Sequence, residues 1–310
     1  MPTSAVICED LVGLRSQALG LAEAARLAPE MRIFQPLAPW RWVAASLWPA
    51  PLRAVPARIT ARPLPDIAVS CGGKGGAVIA ALRERGPRAV QVQDPRVDPR
   101  RFDLIVANRH DGLTGANVIV VRTAIHRVTP ARLAAEAELW RPRLAHLPRP
   151  LVAVLVGGSN GRYRLDSAVA ANLAGKLAGM MRADKAGVAL TPSRRTDPAA
   201  VGILRDTIEP LGGWVWDGSG ENPYFGLLGL ADAIVATQDS VSMISEAVAT
   251  AAPVMVAGLP GRSRRQNQFL TGLVGDGRVR PFAGRLEMWP VQPMDDTPEA
   301  AAEMRRRLGF

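Results

Sequence analysis

Short, unbroken aliphatic runs alternate with helical patterns along this chain, and that alternation leaves few folds open. "SAVIC" (4–8), "DIAVS" (66–70), "AVQVQ" (89–93), "DLIVAN" (103–108) and "NVIVV" (117–121) come first, with helical spacing in "LRSQALGLAEAARLA" (14–28) and "GAVIAALRERG" (76–86). A strand with one wet face alternates apolar and polar residues. Runs as continuous as these are buried on both faces, as in a parallel sheet covered by helices. After a further helix, "TPARLAAEAELWRPRL", and the linker-like "AHLPRP" (145–150), the pattern restarts with "LVAVLVGG", "GVALTPS", "GWVW", "DAIVAT" and "PVMVAG". Helices are expected between them near 165–182, 198–209, 223–231 and 241–251, and after them near 263–274. The expected fold is α/β, with two Rossmann-like doubly wound domains, residues 1–147 and 148–310, and a closing helix at 296–308.

Composition narrows the functional classes. Hydrophobic residues make up 48% of 310, which excludes wholesale disorder. Cys8 and Cys71 both lie in strand-like runs and offer neither a disulfide framework nor a paired-cysteine metal site. No run reaches the roughly 18–20 apolar residues of a membrane span. The start, "MPTSAVICEDLVG", lacks the basic n-region of a secretory signal. A cytoplasmic protein is expected, with peripheral association at the inner membrane surface as an extension. The formal charge of +10 calls for an anionic partner: phosphorylated small molecules, an anionic membrane surface or nucleic acid. Aromatic residues are not interleaved with the basic ones, so no nucleic-acid partner is expected.

One segment breaks the alternation. "FQPLAPWRWVAASLWPAPLRAV" (34–55) sets Trp40, Trp42 and Trp48 beside Arg41 and Arg53, among prolines. It reads either as a helix packed on the sheet or as a surface element for a lipid interface, where indoles and arginines are at home.

In open α/β sheets ligands bind at the carboxyl ends of the strands, where helix N-termini offer unpaired N–H groups. The loops there are rich in glycine, serine and arginine. In the first domain they are "EDLVGLRSQALG", with Gly13 and Gln17, and "SCGGKGG", with Gly72, Gly73 and Lys74. The second is not a Walker loop, because Gly75 and not Ser or Thr follows Lys74. In the second domain they are "GGSNGRYR" (157–164), "TPSRRT" (191–196), "DGSGENPY" (217–224) and "TQDSVSMISEA" (237–247). The last holds more polar groups than a helix start needs. Asp239 or Ser240 suffices as a cap, while Ser242 and Glu246, four apart, share a helix face. A glutamate there suits the two hydroxyls of a ribose, and without the neighbouring loops it is an ordinary exposed residue.

These stretches resemble a known family. "LADAIVATQDSVSMISEAVATAAPVMV" is similar to the donor-binding segment of GT-B glycosyltransferases. The ordered set "GLRSQALGLAEA", "VQVQDPR", "FDLIVANRHD", "IHRVTPARL", "VLVGGSNGRYR", "TPSRRT", "NPYFGLLGLADAIVATQDSVSMISEA" and "RVRPFAG" resembles the "elongated mitochondria" mitochondrial fission family over nearly the full length. The resemblance implies two GT-B-like domains facing across a cleft, with the final helix returning to the first. For function it implies either a glycosyltransferase-like enzyme or an adaptor of the kind the plant member provides in organelle division.

The enzymatic reading expects a nucleotide-diphospho-sugar as substrate, held by Gly157, Gly158, Ser193, Arg194, Arg195, Asp239, Ser240, Ser242 and Glu246. Arginine neutralises the leaving diphosphate, no Asp-x-Asp pair stands in the sequence, and no metal or other cofactor is expected. Gly13, Gln17, Gly72, Gly73 and Lys74 would line the side of an unidentified acceptor, a lipid-linked one among the options. Asp94, His110 and Asp111 follow strands and are candidates for the catalytic base, although "DP" and "HDG" are also ordinary turns. His126 reads equally as a satisfied histidine at a strand end. The adaptor reading places 34–55 and the arginines on a membrane and needs no nucleotide.

Overall fold

The computed structural model describes residues 1–310. The chain divides into two compact units, Met1–Arg127 with Asp296–Phe310, and Val128–Asp295.

The first unit is built on strands β1 (Ser4–Glu9), β2 (Glu30–Phe34), β3 (Ile67–Cys71), β4 (Arg88–Val92), β5 (Leu104–Asn108) and β6 (Val118–Val121). All pair in parallel, in the order β2-β1-β3-β4-β5-β6. Helix α1 (Val12–Ala24) covers one face and α2 (Gly73–Arg83) the other. The strand runs are apolar throughout because successive residues feed opposite cores. Val6, Cys8 and Val69 join the α1 side, and Ala5, Ile7 and Ala68 the α2 side. The glycines of "CGGKGG" serve this packing. A Cβ on Gly75 would lie 2.2 Å from Ser70 Oγ and 3.0 Å from the Ile7 carbonyl oxygen, so α2 lies against the sheet only without a side chain there.

Two features differ from the sequence expectation. Strand β2 was not expected; it is an edge strand whose Glu30 and Met31 are exposed, which erases the doubly buried signature. Segment 34–55 is not an α-helix; it forms short turns, partly buried and partly at the surface. Prolines 36, 39, 49 and 51 lack the N–H a helix ladder needs and leave room only for 3₁₀ turns at Trp40–Trp42, Ala45–Leu47 and Pro51–Arg53. Its tryptophans divide: Trp48 is buried and donates to the Val43 carbonyl at 3.2 Å, Trp40 is half-buried, and Trp42 is 70% exposed. Buried Arg32 ties the following stretch to β2 by donating to the carbonyls of Ile59, Ala61 and Pro63.

The second unit opens with helix α3 (Pro130–Leu144) and continues β7 (Leu151–Val156), α4 (Ser167–Asp184), β8 (Gly187–Pro192), α5 (Pro198–Ile208), β9 (Trp214–Val215), α6 (Tyr224–Leu230), β10 (Ala233–Thr237), α7 (Val241–Val248), β11 (Val254–Ala257), α8 (Arg264–Gly275) and β12 (Val279–Pro281). The strands are parallel in the order β12-β11-β10-β7-β8-β9. The chain therefore enters at β7, builds to one side, and crosses back to build the other from β10. Short β12, with Arg280 and Pro281 exposed, was also not expected. No helix is long and apolar enough to cross a membrane.

Helix α9 (Thr297–Leu308) returns to the first unit, as expected, and buries Ala300, Ala301 and Met304 on the α1 side. Its anchor is Asp296. One carboxylate oxygen accepts from the Arg122 backbone N–H at 2.5 Å and the other from Arg122 Nη2 at 2.5 Å. Burial alone would raise this carboxyl's pKa, but the bonds and charge from Arg122 hold it below the usual value. Asp296→Ala removes the acceptor of the Arg122 and Thr123 backbone N–H groups and the partner of a half-exposed Arg122 side chain, so the first unit should lose about 1–2 kcal/mol of unfolding free energy. Urea unfolding of wild type and variant checks this.

Candidate functional site

In the second unit β7 and β10 are neighbours, and the chain leaves them in opposite directions. This is the topological switch point, where loops splay apart at the carboxyl edge and leave a crevice. The loops that diverge are 157–164 and 238–240, and the loop after β8 (193–197) joins them.

Asp239 binds the three together. Its side chain is fully buried and accepts from Thr237 Oγ1 (2.7 Å), the Gly158 N–H (3.1 Å) and Arg195 Nη2 (2.8 Å). Arg195 also donates from Nη1 to the Gly158 carbonyl at 3.2 Å, and the Gly157 N–H donates to Thr237 Oγ1 at 2.7 Å. Both glycines are required by this close approach. A Cβ on Gly157 would lie 2.1 Å from Asp239 Oδ1, and one on Gly158 2.1 Å from the Arg195 carbonyl oxygen. Gly157, Gly158, Arg195 and Asp239 thus form the frame of the site, and the carboxylate of Asp239 points into it. Ser193 lies in the same frame, its hydroxyl 3.1 Å from Thr196 Oγ1 and accepting from the Arg195 N–H at 3.2 Å. Arg194 is exposed and has no ion pair.

Ser240 caps α7 by accepting from the Met243 N–H at 3.2 Å. Ser242 lies half-buried in the first turn, and Glu246, on the same face, is buried. The sequence reading missed its partner: Tyr224 Oη donates to Glu246 Oε2 at 2.5 Å. Burial pushes the Glu246 carboxyl up to about 7, opposed in part by the Tyr224 hydroxyl and by the charge of Arg132. Desolvation and the neighbouring carboxylate push the Tyr224 phenol well above its ordinary value. A second missed group lies beside it. Gln238 Nε2 donates to Tyr163 Oη at 3.3 Å, and Gln266 on α8 donates to the Gln238 carbonyl. A signal was present: the chain has only two tyrosines, and both lie at this edge.

In the first unit Lys74 donates to Glu9 Oε1 at 3.1 Å and to the Arg41 carbonyl at 3.2 Å, tying β1 to the 34–55 segment. Gly72, at φ +82°, precedes α2, and Gly73 is its first residue. Gln17 is buried and accepts from Gln93 Nε2 at 3.0 Å, while Gly13 is exposed in the first turn of α1. Asp94 accepts from the Arg96 N–H at 2.8 Å and closes its own turn. His110 and Asp111 form a close pair after β5, with Nε2 3.5 Å from Oδ1, and Asp111 also accepts from the Asn108 N–H at 3.2 Å. Buried His126 stands where the chain meets α9, its backbone N–H donating to Thr297 Oγ1 at 3.3 Å.

Paired doubly wound sheets with a polar switch point define the class. The chain aligns with a UDP-GlcNAc 2-epimerase from Methanocaldococcus jannaschii at a TM-score of 0.60 and 12% identity, over 99% of this chain and 100% of that one. It aligns with Medicago truncatula UGT71G1 complexed with UDP-glucose at a TM-score of 0.56 and 11% identity, over 98% and 89%. At such identities the likeness is one of fold, and the fold is GT-B-like. The sequence is more particular: the model of the mitochondrial fission ELM1 family matches residues 12–308, and the chain belongs to that family. It is 32% identical over 275 residues to the mitochondrial fission protein ELM1 of Arabidopsis thaliana, covering 79% of this chain and 64% of that protein. It is 26% identical over 203 residues to the uncharacterized protein RP120 of Rickettsia prowazekii (strain Madrid E), covering 63% and 56%. The chain thus spans less than two thirds of the length of these two relatives.

The Glu246 carboxyl has a consequence for stability. With its folded pKa raised from 4.5 to about 7, the folded state keeps a proton that the unfolded chain releases between those values. Stability therefore falls as pH rises from 4.5 to 7, and the deficit is complete above 7. Glu246→Gln keeps the shape without the ionisation. Relative to wild type it should gain on the order of 2–3 kcal/mol between pH 4.5 and pH 8. Denaturant titrations at both pH values check this.

Proposed function

We propose that the second unit binds a nucleotide-diphospho-sugar and that the protein is a GT-B-like glycosyltransferase. The observation that carries this reading is buried Glu246 at the switch-point edge, poised to accept hydrogen bonds from a ribose, with Arg194 free of any ion pair at the same edge. Glu246 and Ser242 take the ribose, and Arg194 takes the diphosphate through its planar fork. The Asp239 frame holds the loops that carry them. Guanidinium charge stabilises the leaving diphosphate, the role a divalent cation fills in other transferases. In the first unit His110, oriented by Asp111, is the group suited to take a proton from an acceptor hydroxyl.

Calorimetry with UDP, GDP and ADP tests the reading. Wild type should bind at least one, and Glu246→Gln should bind it about tenfold more weakly, a loss of about 1.4 kcal/mol. Gln is the better substitution, because Ala would strand the buried Tyr224 hydroxyl. No measurable affinity for any of the three would leave the adaptor reading.

A peripheral role at an anionic membrane has its own support in the first unit. No acidic residue stands between Glu30 and Asp66, while Arg41, Arg53, Arg58 and Arg62 are exposed and unpaired. Trp42 and Leu47 are 70% and 71% exposed, and Arg41 stacks 3.9 Å over the Trp42 ring. This is the chemistry of a headgroup interface, indole and leucine for the acyl boundary and guanidinium for phosphate. Vesicles containing anionic lipid should carry the protein in flotation, less so at high salt, and Trp42→Ala with Leu47→Ala should reduce the floated fraction severalfold. Equal flotation with neutral vesicles would contradict it.

A further inference from the structure

Two loops of the second unit are fastened to each other well beyond the frame around Asp239. Tyr163 and Gly261 form an isolated antiparallel bridge. The Arg164 N–H donates to the Pro260 carbonyl at 3.0 Å, and the Arg262 N–H to the Arg162 carbonyl at 3.2 Å. Gly261 sits at φ +138°, and a Cβ there would lie 2.1 Å from the Arg162 carbonyl oxygen. Asn160 Oδ1 accepts from the N–H groups of Arg162 and Tyr163, at 2.8 and 2.9 Å. The backbone here is held from both sides.

This fastening gathers guanidinium groups that nothing neutralises. Arg162, Arg262 and Arg264 are exposed and pair with no carboxylate. Their neighbours behave differently: Arg164 pairs with Asp166 at 2.9 Å, and Arg280 with Glu287 at 2.8 Å. Beside them lies a shallow, open groove of about 630 Å³, lined by Arg262, Arg264, Asn267, Gln268 and Thr271. Four of these stand at i, i+3, i+4 and i+7 on α8, so they form one face about 10 Å long. No carboxylate lines it.

The lining states what would fit. Two guanidiniums at one end match the oxygens of a phosphate or carboxylate. The amides and the hydroxyl further along can donate to and accept from the hydroxyls of a sugar, while the aliphatic stems between them offer its carbon faces an apolar floor. The volume is within the range of small-molecule sites. Through Gln266, which donates to the Gln238 carbonyl, α8 is tied to the loop that opens α7. We infer that this groove binds a carbohydrate bearing a phosphate or carboxylate, with the anion on Arg262 and Arg264 and the hydroxyls on Asn267, Gln268 and Thr271. That the ligand is part of the transferase substrate rests on the nucleotide-sugar reading; its binding does not.

Calorimetry on the full chain with glucose 6-phosphate, glucuronate, glucose and inorganic phosphate tests it. At least one charged sugar should bind tenfold or more tightly than glucose and more tightly than inorganic phosphate; which one binds identifies the anion. Arg262→Ala with Arg264→Ala should weaken that binding at least tenfold. Asn267→Ala with Thr271→Ala should weaken it severalfold and leave inorganic phosphate unaffected. All four side chains are exposed, so the variants should melt with wild type. Inorganic phosphate binding as tightly as either charged sugar, or variants that bind like wild type, would overturn the proposal. UDP titrated into the same samples separates the two readings. Wild type that binds UDP and no charged sugar sinks the groove alone, and the reverse result sinks the nucleotide site alone.

Discussion

The carboxylate of Asp239 is the constraint on which the carboxyl edge of the second unit's sheet depends. Three loops that leave the sheet in different directions have no reason of their own to stay together, and each carries backbone polar groups that burial would leave unpaired. One buried anion resolves this by accepting from Thr237, Gly158 and Arg195 at once. A lone buried charge would be costly, and here Arg195 supplies the counter-charge while donating to the Gly158 carbonyl. The arrangement admits no side chain at 157 or 158, so two glycines and one aspartate depend on each other across 80 residues of chain.

That frame explains how a polar edge coexists with so apolar a sheet. Parallel strands buried on both faces exclude polar groups from the layer itself and push them to the ends. At the carboxyl edge of β7 and β10 the polar groups divide into two sets. Those turned inward, Asp239, Thr237 and Thr196, are satisfied within the protein. Glu246 is held differently, by one short bond from Tyr224 in a place where burial disfavours its charge. A carboxyl poised in this way gains from a partner that brings hydroxyl donors, which the frame residues do not.

The doubly buried strands were legible because their signal is local: five or six aliphatic residues in a row allow no other reading in this context. Strand β2 was hidden because Glu30 and Met31 at its start are both exposed, and "EMRIF" then looks like any mixed loop. The 34–55 segment left two readings open, a packed helix and a surface element. Its apolar content suggested a helix, but proline spacing decides the backbone before hydrophobicity does. "TQDSVSMISEA" holds more polar groups than a cap needs, yet its residues cannot be sorted from sequence. Asp239 faces inward only because Gly157 and Gly158 leave room, and the burial of Glu246 depends on a tyrosine from another helix. The glycines of "CGGKGG" were legible as a departure from a phosphate loop, while their packing against Ser70 and Ile7 was a tertiary fact.

The arginines show where a positive charge of this size is used. Many are engaged at the surface, as Arg306 and Arg307 are with Glu303, and Arg285 is with Asp184. Exposed pairs of this kind contribute little to stability, and salt weakens them further. They do keep the field of the protein from being uniform. Where acids are absent, as between residues 31 and 65 and along one face of α8, the field is left open and is positive. Two such places, one in each unit, set several exposed guanidiniums near one another in the chain with no acid between them. Uncompensated guanidiniums that stand near one another repel, and an anion that docks between them relieves that repulsion.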